Sequence, residues 1–124
     1  MARILIVDDE PVNRLLLSAV LSPGGHEVIE AGDADAALAH IRARIPDLTI
    51  LDLHLPGESG VDVVRTLRAD ARTAHAPIAL YTSSMMDDAM RDFMEMWNVR
   101  HVIPKPGEPH EIIAAVTSAL SEKP

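Results

Sequence analysis

The sequence contains no cysteine, very few aromatic residues and no long apolar run. Without cysteine, the chain has neither a disulfide framework nor a thiolate metal site. A transmembrane helix needs about 20 largely apolar residues in a row, and no stretch approaches that length. The first apolar run, residues 4–7, is too short for the core of a signal peptide. These absences lead us to expect a cytoplasmic protein that has no membrane partner.

Positive charge is also scarce, because 19 acidic residues outnumber 11 lysines and arginines and give a net charge of −8. A surface that binds nucleic acid needs a basic patch, so this balance argues against a nucleic-acid partner. The 124 residues are enough for one hydrophobic core. We therefore expect a single domain over residues 1–124.

What the sequence does contain is a set of short apolar runs that stop at polar residues. The runs cover residues 4–7, 48–51, 78–81 and 102–103. Their length and aliphatic composition predict buried strands. The polar residues at the ends of these runs are Asp8, Asp9, Asp52, Thr82 and Lys105. The carboxyl ends of parallel strands lie along one edge of a sheet, so we expect these side chains to converge.

Segments with helical periodicity separate the strands. In the first of them, Pro11 suits the first turn of a helix, and apolar residues recur at i, i+3, i+4, i+7 and i+8. The residues that we expect to form the buried face of this helix are Val12, Leu15, Leu16, Ala19 and Val20. A short strand is predicted at residues 28–29. Asp33 is expected to cap the second helix, and Pro109 is expected to begin the last one. The apolar face predicted for the second helix is Ala34, Ala37, Leu38, Ile41 and Ile45, and that of the last helix is Ile112, Ile113, Val116 and Leu120.

This alternation predicts an α/β fold: a flavodoxin-like, doubly wound parallel sheet of five strands in the order 2-1-3-4-5, with five helices on its two faces. In such sheets ligands bind outside the carboxyl ends of the strands, at the point where the strand order reverses. Here that point lies between the first and third strands. Asp8, Asp9 and Asp52 follow these two strands, so the fold places the carboxylates where it is expected to bind ligands.

The predicted cluster has the composition of a site for phosphoryl transfer. Three carboxylates within a few ångströms of one another do not all stay ionised unless a cation joins them. Ligands that are all oxygen suit a hard ion such as Mg²⁺. Lys105 adds a positive charge, and Thr82 adds a hydroxyl donor. Together these groups can stabilise charge on the phosphoryl oxygens while a carboxylate attacks in line.

Four motifs in this order resemble those of a response-regulator receiver domain, the phosphoacceptor of two-component signalling. They are residues 7–9, residues 52–56 with Gly60, residues 81–83, and residues 105–106. Each motif is weak alone, but the order and spacing of all four are specific. The resemblance extends over essentially the whole chain.

The resemblance implies that Asp52 accepts a phosphoryl group from a histidine kinase or a histidine phosphotransfer protein, within a phosphorelay. Asp9, Asp52 and the backbone carbonyl of His54 would bind Mg²⁺, and Asp8 would support the ion through water. The domain would promote its own phosphorylation and its own dephosphorylation. It would not be an enzyme that acts on other substrates.

By the same resemblance, Thr82 and Lys105 contact the phosphoryl group, and the Lys105–Pro106 peptide bond is cis. One position departs from the family pattern. The family usually has an aromatic residue three positions before the lysine, where this chain has Val102. We therefore expect a movement of Thr82 to be transmitted through the loop that follows it and through the fourth helix.

Methionines and aromatic residues concentrate near the fourth helix. The residues on one helical face, which we expect to be buried, are Met90, Phe93, Met94 and Trp97. The methionines off that face are Met85, Met86 and Met96. Adaptable methionine side chains suit a docking surface, and the family commonly uses the face of the fourth helix, fifth strand and fifth helix for output. We expect an output partner of unknown identity to bind there.

Other interpretations of the same residues remain open. Asp8 and Asp9 can serve as helix caps alone, although that leaves Asp52 and Lys105 unexplained. A pseudo-receiver that only binds partners would normally have lost Asp52, Asp9 or Lys105. An aspartyl-phosphate hydrolase of the haloacid dehalogenase type needs a second aspartate two positions after the nucleophile, where this chain has a histidine. A nucleotide-binding flavodoxin-like protein would need a glycine-rich loop after the first strand, and none is present.

Overall fold

Strands and helices alternate along the chain, as the sequence predicts. A computed structural model describes residues 2–53, 55, 60–83 and 86–121. The strands are β1 (Arg3–Val7), β2 (Glu27–Ala31), β3 (Leu48–Leu51), β4 (Ile78–Thr82) and β5 (His101–Pro104). The helices are α1 (Pro11–Leu21), α2 (Ala34–Ala43), α3 (Gly60–Ala69), α4 (Asp88–Met96) and α5 (Pro109–Leu120), with a short 3₁₀ turn at Ser22–Gly24. In the described part of the chain, none of these helices combines the length and the apolar character that spanning a membrane requires.

The five strands form one parallel sheet in the order β2-β1-β3-β4-β5, which confirms the predicted topology. The register pairs Val7 of β1 with Leu51 of β3. Asp8 and Asp52, the residues that follow this pair, therefore leave the sheet side by side. On the other half of the sheet, Thr82 pairs with Pro104, the residue before Lys105. The register alone thus brings the predicted site residues to one edge.

Local signals set the helix starts at the predicted places. Pro11 occupies the first turn of α1. The Asp33 side chain accepts a hydrogen bond of 2.8 Å from the backbone N–H of Ala36, and so caps α2. Glu108 and Glu111 form a reciprocal capping box at the start of α5, directly around Pro109.

Two layers of helices cover the sheet. On one face, α1 and α5 pack on apolar residues of the central strands through Leu17, Leu21, Ile112, Val116 and Ala119. We call this the α1–α5 layer. On the other face, α2 and α3 bury the residues Ala34, Ala37, Ile41, Val63, Val64 and Leu67, and partly buried residues of α4 pack against the same cluster. We call this the α2–α3–α4 layer.

Most of the predicted buried face of α1 is wrong, although Val20 is partly buried against the core. Val12 is 74% exposed and Leu15 is 67% exposed, whereas Leu17 and Leu21 are buried. Leu17 and Leu21 lie one helical turn apart and form the inner face. The apolar periodicity that begins at Val12 runs along the opposite side, because this helix carries apolar residues on two sides and the spacing does not show which one meets the sheet.

Two smaller differences concern the ends and edges of helices. Helix α2 ends at Ala43, so Ile45 lies beyond it and is not part of its buried face. On α5, Ile113 is 49% exposed, while Ile112 and Val116 are buried as expected. In both cases the spacing identified the correct helix but assigned it one residue too many.

Candidate functional site

The five predicted site residues meet at the carboxyl edge of the sheet. Asp8 and Asp9 follow β1, Asp52 follows β3, and Lys105 follows β5, while Thr82 is the last residue of β4. All of them except Asp8 line an open cavity of about 540 Å³. The lining residues are Asp9, Glu10, Asn13, Asp52, Thr82, Ser83, Lys105 and Pro106.

Three carboxylates form the anionic half of the site. Asp8, Asp9 and Asp52 each present an oxygen atom, and these oxygens lie within 4.8 Å of one another. Asp8 and Asp52 are buried, with 1% and 6% of their surface exposed, and Asp9 is exposed. Burying negative charges this close together requires a compensating cation. The donor set is all oxygen, which fits Mg²⁺ better than a softer metal.

Lys105 supplies a cation from the protein itself. Its Nζ lies 2.8 Å from Oδ2 of Asp52 and 2.9 Å from Oδ2 of Asp8. Burial alone lowers the pKa of Lys105, but hydrogen bonds and charge from Asp52 and Asp8 outweigh it, so the pKa is raised above its ordinary value. The ammonium therefore stays protonated at neutral pH. The Lys105–Pro106 bond is cis, which confirms the expectation drawn from the resemblance.

The buried Asp8 is largely satisfied by protein donors. Its carboxylate accepts hydrogen bonds from the backbone N–H of Glu10 at 2.9 Å and from Nδ2 of Asn13 at 3.2 Å, in addition to Lys105. Its backbone carbonyl accepts a hydrogen bond of 2.6 Å from Arg14. These contacts fix the loop between β1 and α1. They leave Asp9, which is exposed, and Asp52, which is buried, as the carboxylates that line the open cavity.

Sequence reasoning missed the roles of Asn13 and Arg14. Both lie in the first two turns of α1 and point back toward the end of β1, where they bind Asp8. Arg14 also pairs with Glu30 of β2 at 3.2 Å. The available signal was their position: two polar residues that interrupt an apolar stretch directly after the acidic pair.

Gly60 lets α3 begin against the backbone of the acceptor segment. A Cβ atom at this position would lie 2.6 Å from the carbonyl oxygen of Asp52 and 2.7 Å from Cα of Leu53. Neither contact is compatible with a side chain. The backbone N–H of Gly60 donates a hydrogen bond of 3.0 Å to the carbonyl of Leu53. The glycine of the sequence motif therefore has a packing reason in this structure.

Two predictions concern residues outside the described part of the chain. The backbone carbonyl of His54, predicted as a ligand of Mg²⁺, lies there, and so does Met85 of the predicted docking surface.

A second cavity of about 690 Å³ lies at the opposite edge of the sheet. It is larger, but none of the five predicted site residues lines it. Its lining residues are Ala2, Pro46, Ala71, Ala76, Pro77 and Leu120, together with Asp47, Arg72, His26 and His75. Since it brings no cluster of like charges together with a cation, we assign the chemistry to the smaller cavity.

Comparison with known proteins agrees with this assignment. The family model for the response regulator receiver domain matches residues 4–117. The chain therefore belongs to the receiver-domain family of two-component signalling. Receiver domains are regulatory phosphoacceptor domains that obtain their phosphoryl group from histidine kinases.

Individual relatives differ in how much of their length this chain spans. The phosphate regulon transcriptional regulatory protein PhoB of Pseudomonas aeruginosa is 37% identical over 117 residues, which is 94% of this chain but 51% of PhoB. Protein PilH of the same species is 31% identical over 125 residues, which cover 98% of this chain and 99% of PilH. Among solved structures, Vibrio cholerae chemotaxis protein CheY4 superposes with a TM-score of 0.90 at 25% identity, covering 96% of this chain and 98% of CheY4.

Proposed function

We propose that residues 1–124 form one receiver domain in which Asp52 takes a phosphoryl group from a phosphohistidine donor. The observation that carries this proposal is the position of the Asp52 carboxylate. It lies 2.8 Å from the Lys105 ammonium, next to two further carboxylates, at the edge of an open cavity. A nucleophile held beside a cation in an accessible cavity suits in-line attack on phosphorus.

The transfer balances as a displacement on phosphorus. A carboxylate oxygen of Asp52 forms a bond to phosphorus while the bond from phosphorus to the donor's histidine nitrogen breaks. The electron pair of the broken bond stays on that nitrogen. Lys105 turns from Asp8 and Asp52 toward the phosphoryl oxygens, and the Thr82 hydroxyl donates to another of them. Both residues stabilise the charge on these oxygens in the transition state.

The carboxylates would hold Mg²⁺ at the same edge. Asp9 and Asp52 face the cavity and would bind the ion together with the carbonyl of His54, while Asp8, occupied by protein donors, would act through water. When bound, Mg²⁺ supplies positive charge that offsets the charge of the phosphoryl oxygens. The same arrangement would allow water to remove the phosphoryl group, so the domain would act on its own phosphorylated state only.

Helix α1 offers a surface on which the phosphodonor protein would dock. Val12 and Leu15 are largely exposed on its outer face. Asn13 lines the acceptor cavity from the same helix. An apolar surface on the same helix as a residue that lines the cavity suits a protein that must bring a phosphohistidine to Asp52. We therefore assign the exposed side of α1 to the phosphodonor.

Helix α4 is the element that we assign to output. It has no fully buried residue, and its apolar residues are only partly buried against the core. Met86 and Met96 are exposed, by 38% and 74%. Val102, where the family usually has an aromatic residue, also packs in the α2–α3–α4 layer. Without a ring to rotate behind Thr82, a shift of the segment from Ser83 into α4 would carry the signal.

Labelling with a small phosphodonor tests the proposal. With acetyl phosphate and Mg²⁺, intact mass spectrometry is expected to show one added phosphoryl group on the wild type and none on Asp52→Asn. Asp35→Asn, which removes an exposed carboxylate on α2, serves as the control and should be labelled like the wild type. Equal labelling of the wild type and Asp52→Asn would exclude Asp52 as the acceptor. A wild type that takes no phosphoryl group would favour a pseudo-receiver that only binds partners.

A further inference from the structure

The Lys105 ammonium has three neighbours in the site: two carboxylates and an aromatic ring. The carboxylates are those of Asp52 and Asp8. The ring is that of Tyr81, and the Lys105 ammonium lies 5.0 Å from its centroid. Tyr81 itself is 1% exposed and packs in the apolar cluster beneath the α1–α5 layer. The only tyrosine of the chain therefore contacts the cation of the site.

We propose that Tyr81 is a positioning residue for phosphoryl transfer, whose ring holds the Lys105 ammonium against Asp52. The proposal rests on the function proposed above, because it assumes that Lys105 acts on the phosphoryl group. Tyr81 does not touch the reacting atoms. It acts through Lys105.

An aromatic ring beside Lys105 has an advantage over a carboxylate at the same position. The face of an aromatic ring attracts a cation within about 6 Å of its centroid, and it carries no net charge. It therefore holds the ammonium without neutralising it and without repelling an incoming phosphoryl group. The Lys105 side chain is only 18% exposed, so this attraction acts in partly desolvated surroundings, where it is stronger than at an open surface.

The ring also restricts where Lys105 can go. A lysine side chain has a flexible four-carbon stem, and it loses considerable rotamer freedom when it is held in one place. Tyr81 lies on β4, the strand that ends at Thr82, and its buried ring blocks the movement of the Lys105 side chain in that direction. When Asp52 gains a phosphoryl group, the ammonium can move toward the new oxygens but not away from the cavity. Tyr81 thus keeps the Lys105 ammonium close to Asp52.

The hydroxyl group of Tyr81 is not needed for this role. It is buried and has no hydrogen-bond partner among the residues that the structure describes. Burial raises the pKa of the phenol above its ordinary value, an effect that Lys105 opposes and Asp8 reinforces, so the group stays neutral. The face of the ring is what the ammonium contacts. Phenylalanine should therefore replace tyrosine here, whereas an aliphatic residue should not.

The experiment compares Tyr81→Phe with Tyr81→Leu in the rate of labelling by acetyl phosphate with Mg²⁺. Tyr81→Leu is expected to label about 3- to 10-fold more slowly than the wild type, and Tyr81→Phe is expected to recover the rate. Val116→Ala is the control for a packing defect, because Val116 lies in the same apolar cluster but on α5. It should lower the melting temperature without slowing the labelling. Tyr81→Met replaces Tyr81→Leu if the latter does not fold.

A double-mutant cycle and an NMR signal identify Lys105 as the link. In a Lys105→Ala background, Tyr81→Leu should cause no further loss of rate, because the residue through which it acts is absent. The ε-methylene protons of Lys105 should show an upfield ring-current shift in the wild type and in Tyr81→Phe, and should lose it in Tyr81→Leu. If Lys105→Ala labels too slowly to measure, the ring-current shift decides.

The possible failures are distinguishable. A wild type that takes no phosphoryl group refutes the proposed function itself. A labelled wild type whose rate is unchanged in Tyr81→Leu refutes the role of Tyr81 alone. A further loss of rate in the Lys105→Ala background, or the absence of a ring-current shift in the wild type, also refutes it, because the ring would then act on something other than the ammonium.

Discussion

Helices α1 and α4 both carry apolar residues at helical spacing, but the first of those on α1 are exposed, whereas most of those on α4 are partly buried. On α1, the apolar residues at the first predicted positions, Val12 and Leu15, point to solvent. On α4, Met90, Phe93 and Met94 are partly buried against the core. Apolar periodicity shows that residues share one side of a helix, but it does not show which side another element covers. The difference therefore depends on the neighbours of each helix.

The two helices are also held in different ways. Leu17 and Leu21 fix α1 by full burial against the sheet. Helix α4 has no fully buried residue, and Arg68 of α3 holds its carboxyl end by donating to the carbonyls of Trp97 at 2.8 Å and Asn98 at 3.2 Å. Helix α1 is thus held by fully buried side chains, whereas α4 is held by partly buried side chains and by hydrogen bonds at its carboxyl end. This contrast suits a docking platform on α1 and a movable output element at α4.

The largest expected effect separates the two sides of α1. Leu17→Ala should lower the free energy of unfolding by about 2–5 kcal/mol, because it leaves a cavity in a closed core. Leu15→Ala should change it by no more than about 0.5 kcal/mol, because Leu15 lies at the surface. Urea denaturation followed by circular dichroism measures both. Similar losses for the two variants would mean that the outer side of α1 is covered in solution.

The next largest effect concerns Arg68, which holds the carboxyl end of α4. Arg68→Met should lower the free energy of unfolding by about 1.5–3 kcal/mol, because several backbone carbonyls lose hydrogen bonds from a charged donor. Besides the carbonyls of Trp97 and Asn98, the guanidinium donates to those of Ala76 at 2.7 Å and Thr73 at 3.3 Å. Hydrogen exchange should rise most over residues 88–98.

Arg65→Met is the matched control for that prediction. Arg65 lies on the same helix, is 61% exposed and pairs only on the surface with Asp62 among the described residues. Its loss should cost no more than about 1 kcal/mol, as is usual for exposed ion pairs. If both variants are equally stable, the carboxyl end of α4 does not depend on Arg68.

The sequence was sufficient for the sheet and for the cluster of site residues. Strand ends are marked locally, since an apolar run stops at a polar residue, and the topology of a parallel sheet then brings such ends together. Asp8, Asp52 and Lys105 could be placed together in this way, although they are far apart in the chain. Their convergence requires no knowledge of side-chain packing.

The contacts that sequence reasoning missed depend on neighbours in space. Asn13 reaches back to Asp8, the Tyr81 ring lies beside Lys105, and Arg68 meets carbonyls about 30 residues further along the chain. None of these pairs has a fixed spacing that a single sequence displays. The inner face of α1 belongs to the same group, because it is decided by α5 and the sheet rather than by the helix itself.

A third prediction tests whether the exposed side of α1 receives the phosphodonor. The donor in this test is a histidine phosphotransfer protein that labels the wild type. Leu15→Glu should slow phosphoryl transfer from this donor by about 10-fold, as expected for one interface residue of moderate importance. Labelling by acetyl phosphate should not change, because that donor needs no docking surface. Ala39→Glu, on the exposed side of α2, is the control. Loss of both reactions in Leu15→Glu would point to a folding defect instead.

The smallest expected effect is a spectroscopic change at α4. Trp97 is the only tryptophan and lies directly after α4, so its emission reports on this helix. A beryllofluoride adduct at Asp52 should attract the Thr82 hydroxyl and shift the segment that follows, because a ligand changes populations only through contacts that differ between two states. Emission from Trp97 should change, and hydrogen exchange should change over residues 83–97.

Thr82→Ala should abolish both responses while still allowing Asp52 to be labelled, because it removes the contact and not the acceptor. Met96→Ala, at an exposed position on the same helix, should keep both responses. If exchange over residues 83–97 is the same with and without beryllofluoride, then α4 is as fixed as α1, and the contrast between the two helices has no part in switching.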